Sequence, residues 1–223
     1  MIELIENALQ ILVAGACLAV SAVKSLQTKS RGWILLLLFY SEIFLGDLYL
    51  QLYLLFFEGD PKFPFVSEFC WDMGFAFLIL LVTLYSKGRP SIKKDPVLII
   101  IPVFTAGFAI YYMTFGQIID NIAVAVLMAV LILKCVYGLK SIKGRYVENT
   151  ANSLAKHIYI TTLCFCAAEY LSWTASCFFK SEDISNPYYW FDTLLTINLI
   201  FFIPALKKCD TPEFSMLQGE GSL

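Results

Sequence analysis

Histidine is almost absent from this chain, which has one histidine, His157, in 223 residues. Zinc-dependent membrane hydrolases bind their metal through several histidines, and a serine hydrolase triad needs a histidine beside its nucleophile. The sequence therefore excludes both kinds of hydrolase. We expect His157 to lie near the cytoplasmic end of its segment, at the membrane interface, without a catalytic role.

Charged residues are also scarce, at 15% of the chain, whereas hydrophobic residues make up 59%. This balance is typical of an integral membrane protein. The net charge of -2 offers no basic surface to a nucleic acid. The N-terminal stretch MIELIENALQ is acidic, with no basic region ahead of the apolar run, so we predict that no signal peptide is removed.

The cysteines give no sign of a disulfide framework or a zinc site, because all seven stand singly within apolar runs. We predict free, buried thiols that pack as small hydrophobic groups. We also predict no metal and no cofactor. The residues are Cys17, Cys70, Cys135, Cys164, Cys166, Cys177 and Cys209.

Seven apolar segments are long enough to cross a bilayer, which takes about 20 helical residues. They are predicted at residues 4–26, 33–57, 65–85, 96–115, 117–139, 155–179 and 187–206. The last segment contains no lysine, which excludes a retinal Schiff base. We predict an all-α, polytopic bundle of seven transmembrane helices, with residues 1–206 as a single domain and residues 207–223 as a short tail.

Basic residues collect in alternate loops, which sets the expected orientation. These loops and the tail contain Lys24, Lys29 and Arg31, then Lys87, Arg89, Lys93 and Lys94, then Lys140, Lys143 and Arg145, and finally Lys207 and Lys208. Because short loops rich in lysine and arginine stay cytoplasmic, we predict an outside N-terminus and a cytoplasmic C-terminal tail. The expected location is the cell membrane, with multiple passes.

Acidic residues lie inside the predicted spans, although an ionised carboxylate there costs several kcal/mol. The deepest are Asp47, Asp72, Glu169 and Asp192, roughly 8 to 15 Å below the outer surface at a rise of about 1.5 Å per residue. No lysine or arginine lies in the same half of the spans. Some of these acids must therefore carry protons, or a cation must lie among them.

Helical spacing places polar and aromatic residues beside these acids. We predict an outward-facing acidic cavity lined by the second, third, sixth and seventh spans. Its predicted ligand-binding residues are Asp72, Asp192, Glu42, Tyr40, Gln51, Trp173 and Tyr188. The alternative for each acid is structural, namely a protonated carboxyl group hydrogen-bonded to a neighbouring helix.

Two short motifs carry an acid each. LLLFYSEIFLGD, which ends at Asp47, and CFCAAEYLSW, around Glu169, resemble the acid-bearing motifs of the lysoplasmalogenase (YhhN-like) family. The resemblance implies a multi-span enzyme that cleaves the vinyl-ether bond of lysoplasmalogens with Asp47 and Glu169 as its catalytic pair. The chain departs from the family pattern in its second acid, which is Glu, in having one span fewer, and in lacking a histidine after the first motif.

Two carboxyl groups can act on a water molecule as general acid and general base without a metal or a histidine. We predict that the cavity receives a membrane lipid or another amphiphile with a cationic or polar head group, which Asp72 and Asp192 orient and Asp47 and Glu169 hydrolyse. Two alternatives stay open. One is a receptor or sensor for an amine, a peptide or a metal ion, and the other is a proton- or cation-coupled carrier.

Overall fold

The computed structural model describes residues 2–57, 65–86, 95–116, 118–143, 150–181 and 183–209, and every regular element in these ranges is helical. The predicted all-α bundle is confirmed. The helices are α1 (Ile2–Thr28), α2 (Arg31–Phe56), α3 (Phe65–Tyr85), α4 (Val97–Tyr112), α5 (Ile118–Lys143), α6 (Thr150–Phe178) and α7 (Pro187–Cys209), with a 3-10 turn at Met113–Phe115 between α4 and α5.

Six of these helices, α1 to α5 and α7, are long and apolar enough to cross a membrane. The chain is thus a multi-pass integral membrane protein. α6 has 29 residues but is more polar, because Lys156, His157 and Glu169 lie within it. The seventh crossing, the orientation and the cell membrane stay predictions, because the length and apolarity of a helix give neither its direction nor the membrane that it crosses. The basic stretch 87–94 and residues 144–149 and 210–223 lie outside the described residues.

The helices pack as a closed ring in the order α1, α2, α3, α5, α6 and α7, with α7 returning to α1. α4 lies outside this ring, against α5 and against aromatic side chains of α6. Successive helices run in opposite directions. One end of the ring, which we call the N-terminal end of the bundle, therefore contains the starts of α1, α3, α5 and α7 and the ends of α2, α4 and α6.

Three buried phenylalanine side chains fill the centre of the helix ring. Phe39 of α2, Phe165 of α6 and Phe202 of α7 contact one another at centroid distances of 5.4 to 5.9 Å, with edge-to-face or tilted geometry. Aromatic edges and faces attract in these arrangements, and tight packing of this kind drives helix association where lipid surrounds the helices. The aromatic layer separates the polar groups near the N-terminal end from the other end of the bundle.

Polar contacts stabilise the α4–α5 hairpin at both ends. At the N-terminal end, Gly116 has φ +121°, a conformation that favours glycine, and the Asn121 amide donates to its carbonyl at 2.9 Å. At the opposite end, the Lys140 ammonium contacts the Asp95 carboxylate at 2.7 Å. This hydrogen bond lowers the pKa of Asp95, which lies before α4 begins. α4 and α5 thus form a tight helical hairpin.

The cysteines are free thiols, but they are not all buried as predicted. Cys17, Cys135, Cys166 and Cys209 are buried, whereas Cys164 is exposed and Cys70 and Cys177 are partly exposed. Cys164 lies on an outward-facing position of α6, next to the inward-facing Phe165. Its surroundings would be lipid, where a thiol is tolerated as a small apolar group.

Tyr40 belongs to the packed core of the ring. It has no exposed surface, and its hydroxyl donates to the Leu199 carbonyl of α7 at 2.6 Å. Replacing Tyr40 with Phe is expected to lower the free energy of unfolding by about 1 kcal/mol, because the carbonyl loses an interhelical donor. Unfolding in detergent measures the loss. Tyr111→Phe, at an exposed position, is the control, and an equal effect of both changes would contradict the structural role of this hydrogen bond.

Candidate functional site

Four acidic side chains from four helices approach one another near the N-terminal end of the bundle. They are Glu6 of α1, Asp47 of α2, Glu169 of α6 and Asp192 of α7, and we call them the carboxyl cluster. The ring brings them together because α1 packs against α2 and α7, and α7 packs against α6. Glu6, Asp47 and Asp192 are 7%, 6% and 7% exposed, so protein surrounds them.

Asp47 is held by a tryptophan of the next helix. The Trp71 Nε1–H group donates to Asp47 Oδ1 at 3.0 Å. Gly46 makes room for this contact, because a Cβ atom at that position would lie 2.8 Å from Trp71 Nε1. The second oxygen, Oδ2, is buried and has no hydrogen-bond partner among the described residues. One oxygen of Asp47 is thus fixed, and the other is free to accept a proton.

Asp192 receives a hydrogen bond from Ser172 Oγ of α6, at 3.4 Å to Oδ1. The Glu6 carboxyl group lies within hydrogen-bonding reach of Asp192. Carboxylates are acceptors only, so this pair can form a hydrogen bond when one member carries a proton. No described residue donates to either oxygen of Glu6, although both atoms are buried. Glu6 and Asp192 are therefore arranged to share a proton.

Glu169 connects the carboxyl cluster to a cleft. It interacts electrostatically with Asp192 and, more weakly, with Asp47. It also lines a cleft between α4, α5 and α6 with a volume of about 320 Å³, counting the space at its open mouth. Its lining residues are Thr105, Ala109, Tyr112, Asn121, Val124, Ala125, Met128, Glu169, Tyr170 and Trp173. Its enclosed part is about the size of one water molecule.

The wall of this cleft is aromatic. The rings of Tyr112 and Trp173 stack with their centroids 6.0 Å apart, and the Tyr112 and Thr174 hydroxyl oxygens lie 2.6 Å apart. The Tyr170 hydroxyl is buried without a hydrogen-bond partner in the described part of the chain. The cleft thus combines an apolar surface with polar groups, which include the Glu169 carboxyl group and the Tyr170 hydroxyl.

The structure brings together five of the predicted site residues. Asp47, Glu169 and Asp192 are members of the carboxyl cluster. Tyr188 lies within electrostatic range of Asp192 and Glu6, and the Gln51 side-chain amide donates to the Leu4 carbonyl of α1 at 3.2 Å, beside the cluster. Trp173 does not belong to the carboxyl cluster, but it lines the cleft together with Glu169.

Three predicted ligand-binding residues lie elsewhere. Tyr40 is in the packed core, and Glu42 contacts Cys70 of α3. Asp72 faces Glu68 and Asp120, because α3 packs against α5 and places this acid toward that helix. The cluster is thus buried between α1, α2, α6 and α7, and the cleft lies between α4, α5 and α6. Neither matches the predicted open cavity between the second, third, sixth and seventh spans.

Glu6 is an acid of the cluster that sequence analysis missed, because it lies near the start of the first predicted span, in an acidic N-terminal stretch. A usable signal was present. Glu3, Glu6 and Gln10 recur at helical spacing and therefore lie along one face of the first span. Trp71, which donates to Asp47, was also missed. Ser172, which donates to Asp192, shares the helical face of Glu169 but was not among the predicted ligand-binding residues.

The cluster geometry does not converge on a metal ion. In the part of the chain that the structure describes, no group of three or more His, Cys, Asp or Glu residues is arranged to hold one. The described hydrogen-bond donors to the cluster are Trp71, which donates to Asp47, and Ser172, which donates to Asp192.

Comparisons with protein-family models, with curated proteins and with solved structures found no match to this chain. Fold and site define its class as a multi-pass helical membrane protein with buried carboxyl groups. The resemblance to the lysoplasmalogenase family rests on the two motifs at Asp47 and Glu169 and stays a prediction.

Proposed function

We propose that this chain is a membrane hydrolase that cleaves a C–O bond of a lipid or ether lipid with two carboxyl groups, Asp47 and Glu169. The observation that carries the proposal is the position of Glu169. This residue belongs to a buried carboxyl cluster and also lines a cleft with apolar and aromatic walls.

The cleft suits an amphiphile. Ala109, Val124 and Met128 give the cleft an apolar lining, while Glu169 and the Tyr170 hydroxyl offer hydrogen bonds to a polar group. α4 forms one wall and lies outside the ring, so a substrate enters from the bilayer between α4 and its neighbours. Only a narrow part of a molecule fits beside Glu169, because the enclosed space there is small.

The two acids take different roles because their surroundings differ. The Trp71 N–H donor stabilises the ionised form of Asp47. Because Asp47 does not line the cleft, its Oδ2 takes the proton of the attacking water through one intervening water molecule, as the attacking oxygen bonds to the substrate carbon. Glu169 receives no hydrogen bond from the other described side chains, and in its protonated form it donates to the leaving oxygen. The C–O bond breaks as the new bond to the water oxygen forms. Water then carries a proton from Asp47 back to Glu169, which restores the starting protonation state of both residues.

Glu169→Gln tests this role, because glutamine keeps the shape of the side chain but cannot release a proton. The purified protein is placed in vesicles with phospholipids, lysophospholipids and ether lipids, and the products are measured by mass spectrometry. We expect turnover to fall about a hundredfold, the lower end of the range for acid–base catalysis. Asp120→Asn, an acid of α5 outside the carboxyl cluster, is the control and keeps its turnover.

Unchanged turnover in Glu169→Gln, or no hydrolysis of any lipid by the wild-type protein, would overturn the hydrolase proposal. The second result would favour a proton- or cation-coupled carrier. That alternative is supported by the unpartnered oxygens of Glu6 and Asp47. A carrier or receptor for a cation predicts that an amine ligand raises the melting temperature by mass action, whereas a hydrolytic pair alone predicts no such preference.

A further inference from the structure

We infer that Glu3, Glu6, Asp192 and Glu169 form a proton path from the aqueous surface at the N-terminal end of the bundle to the cleft. The path uses acids of the proposed hydrolytic site, but it does not depend on hydrolysis. It would supply or remove protons for any chemistry or transport that takes place at Glu169.

The outer step of the path lies on α1. Glu3 is exposed in the first turn of the helix, and Glu6 follows one turn later on the same face, where it is buried. The two carboxyl groups lie within electrostatic range of each other. A proton from water therefore reaches Glu6 by way of Glu3, without crossing the apolar outer surface of the bundle.

The second step joins α1 to α7. The Glu6 and Asp192 carboxyl groups lie within hydrogen-bonding reach, and both Glu6 oxygens are otherwise without a partner among the described residues. The O–H bond of a protonated Glu6 breaks as an O–H bond to Asp192 forms, so the proton moves while one negative charge stays on the pair. A shared negative charge is less costly in a buried site than two separate ones.

The third step joins α7 to the cleft. The Ser172 hydroxyl donates to Asp192 and lies one helical turn after Glu169 on α6. Ser172 donates no hydrogen bond to Glu169 in this structure, so transfer between the two acids takes a rotation of the Ser172 hydroxyl, which both donates and accepts hydrogen bonds. Asp192 is also the acid that interacts most strongly with Glu169. Glu169 then delivers the proton to the cleft that it lines.

The other groups that face Glu6 do not interrupt the path. Asp47 of α2 lies within electrostatic range of Glu6, but its Oδ1 is held by Trp71, and it forms a side branch. Tyr188 of α7 faces Asp192 and Glu6. Lys180, the described lysine at this end of the bundle, donates to the Ser176 carbonyl. No lysine or arginine of the described ranges forms an ion pair with these four acids.

Infrared spectroscopy of the protein in vesicles tests the path without any substrate. The frequency of the C=O stretch of a protonated carboxyl group shifts when its proton exchanges for deuterium. The rate of this shift after transfer from H2O to D2O therefore gives the rate of proton exchange. Asp192→Asn and Glu169→Gln assign the bands. We expect Glu6→Gln to slow exchange at Asp192 and Glu169 at least about tenfold, which corresponds to about 1.4 kcal/mol in the barrier.

Glu6→Asp restores a carboxyl group at the same place and is expected to recover much of the exchange rate. Asp120→Asn, outside the path, leaves it unchanged. Exchange at the wild-type rate in Glu6→Gln, with normal thermal unfolding, would overturn the path. Because no lipid is cleaved in this experiment, a protein with Glu6-dependent exchange and no hydrolysis would contradict the hydrolase proposal alone. Hydrolysis with exchange unaffected by Glu6→Gln would contradict the path alone.

Discussion

Asp47→Asn is expected to reduce the turnover of the lipid substrate about a thousandfold, within the range of 10² to 10⁴ for a catalytic acid or base. Asparagine has nearly the shape of aspartate, and its side-chain oxygen still accepts the hydrogen bond from Trp71 Nε1. It cannot take a proton from water, so the attack on the substrate carbon loses its base. The fold is expected to persist, because the change removes a costly buried charge.

The loss is expected in kcat, with KM nearly unchanged, since Asp47 lies behind Glu169 and does not line the cleft. Steady-state kinetics in vesicles separate the two constants. Trp71→Phe removes the N–H donor and keeps an aromatic ring, so it should lower kcat less than Asp47→Asn. In the Asp47→Asn background it should have little further effect, because both changes act on the same carboxylate. A wild-type kcat in Asp47→Asn would remove this residue from the mechanism.

Gly138→Ala is expected to destabilise the protein by about 1 to 3 kcal/mol, the usual cost of overpacking a tight interface. A Cβ atom at this position of α5 would overlap the ring of Tyr159 on α6. The ring cannot move away easily, because the Tyr159 hydroxyl donates to the Tyr85 carbonyl of α3 at 2.9 Å. The change therefore strains the contacts among three helices of the ring.

Gly107→Ala is the matched control, because a Cβ atom there meets no other group within 4 Å. Alanine is favoured over glycine within a helix by about 1 kcal/mol, so this variant should be as stable as the wild type or more stable. Unfolding in detergent compares the two variants. Equal stability would mean that Tyr159 shifts freely and that the α5–α6 interface, which also forms part of the cleft, is less constrained than its packing indicates.

The spans were predictable because the length and apolarity of a segment are local properties. The predicted segment 33–57 corresponds to α2 (Arg31–Phe56), and the predicted segment 187–206 corresponds to α7 (Pro187–Cys209). α7 continues past the predicted end because Lys207 and Lys208 are good helix formers and are stabilised in the last turn. The acids at Asp47, Glu169 and Asp192 were also identifiable, since any acid within an apolar run stands out.

The partners of these acids were not predictable from the spacing of residues on each helix. That spacing places Asp72 on a polar face of its helix, but it does not determine whether this face meets α5 or α6. The position of α4 outside the ring lets α3 pack against α5, which groups Asp72 with Asp120 and leaves it away from Asp192. The same packing places the cleft beside α4, where sequence analysis expected no cavity.

The amino-acid sequence by itself determined that this protein is helical, that its helices belong in a membrane, and that several of them contain an acid that needs a proton or a donor. These properties follow from the free energy of moving each segment from water into lipid, which the segment's own residues set. The tertiary structure decided that Glu6 meets Asp192 and that Glu169 reaches the cleft. The rotation of each helix and its choice of neighbours depend on how all the helices pack together, because lipid is as apolar as their side chains and does not select a face.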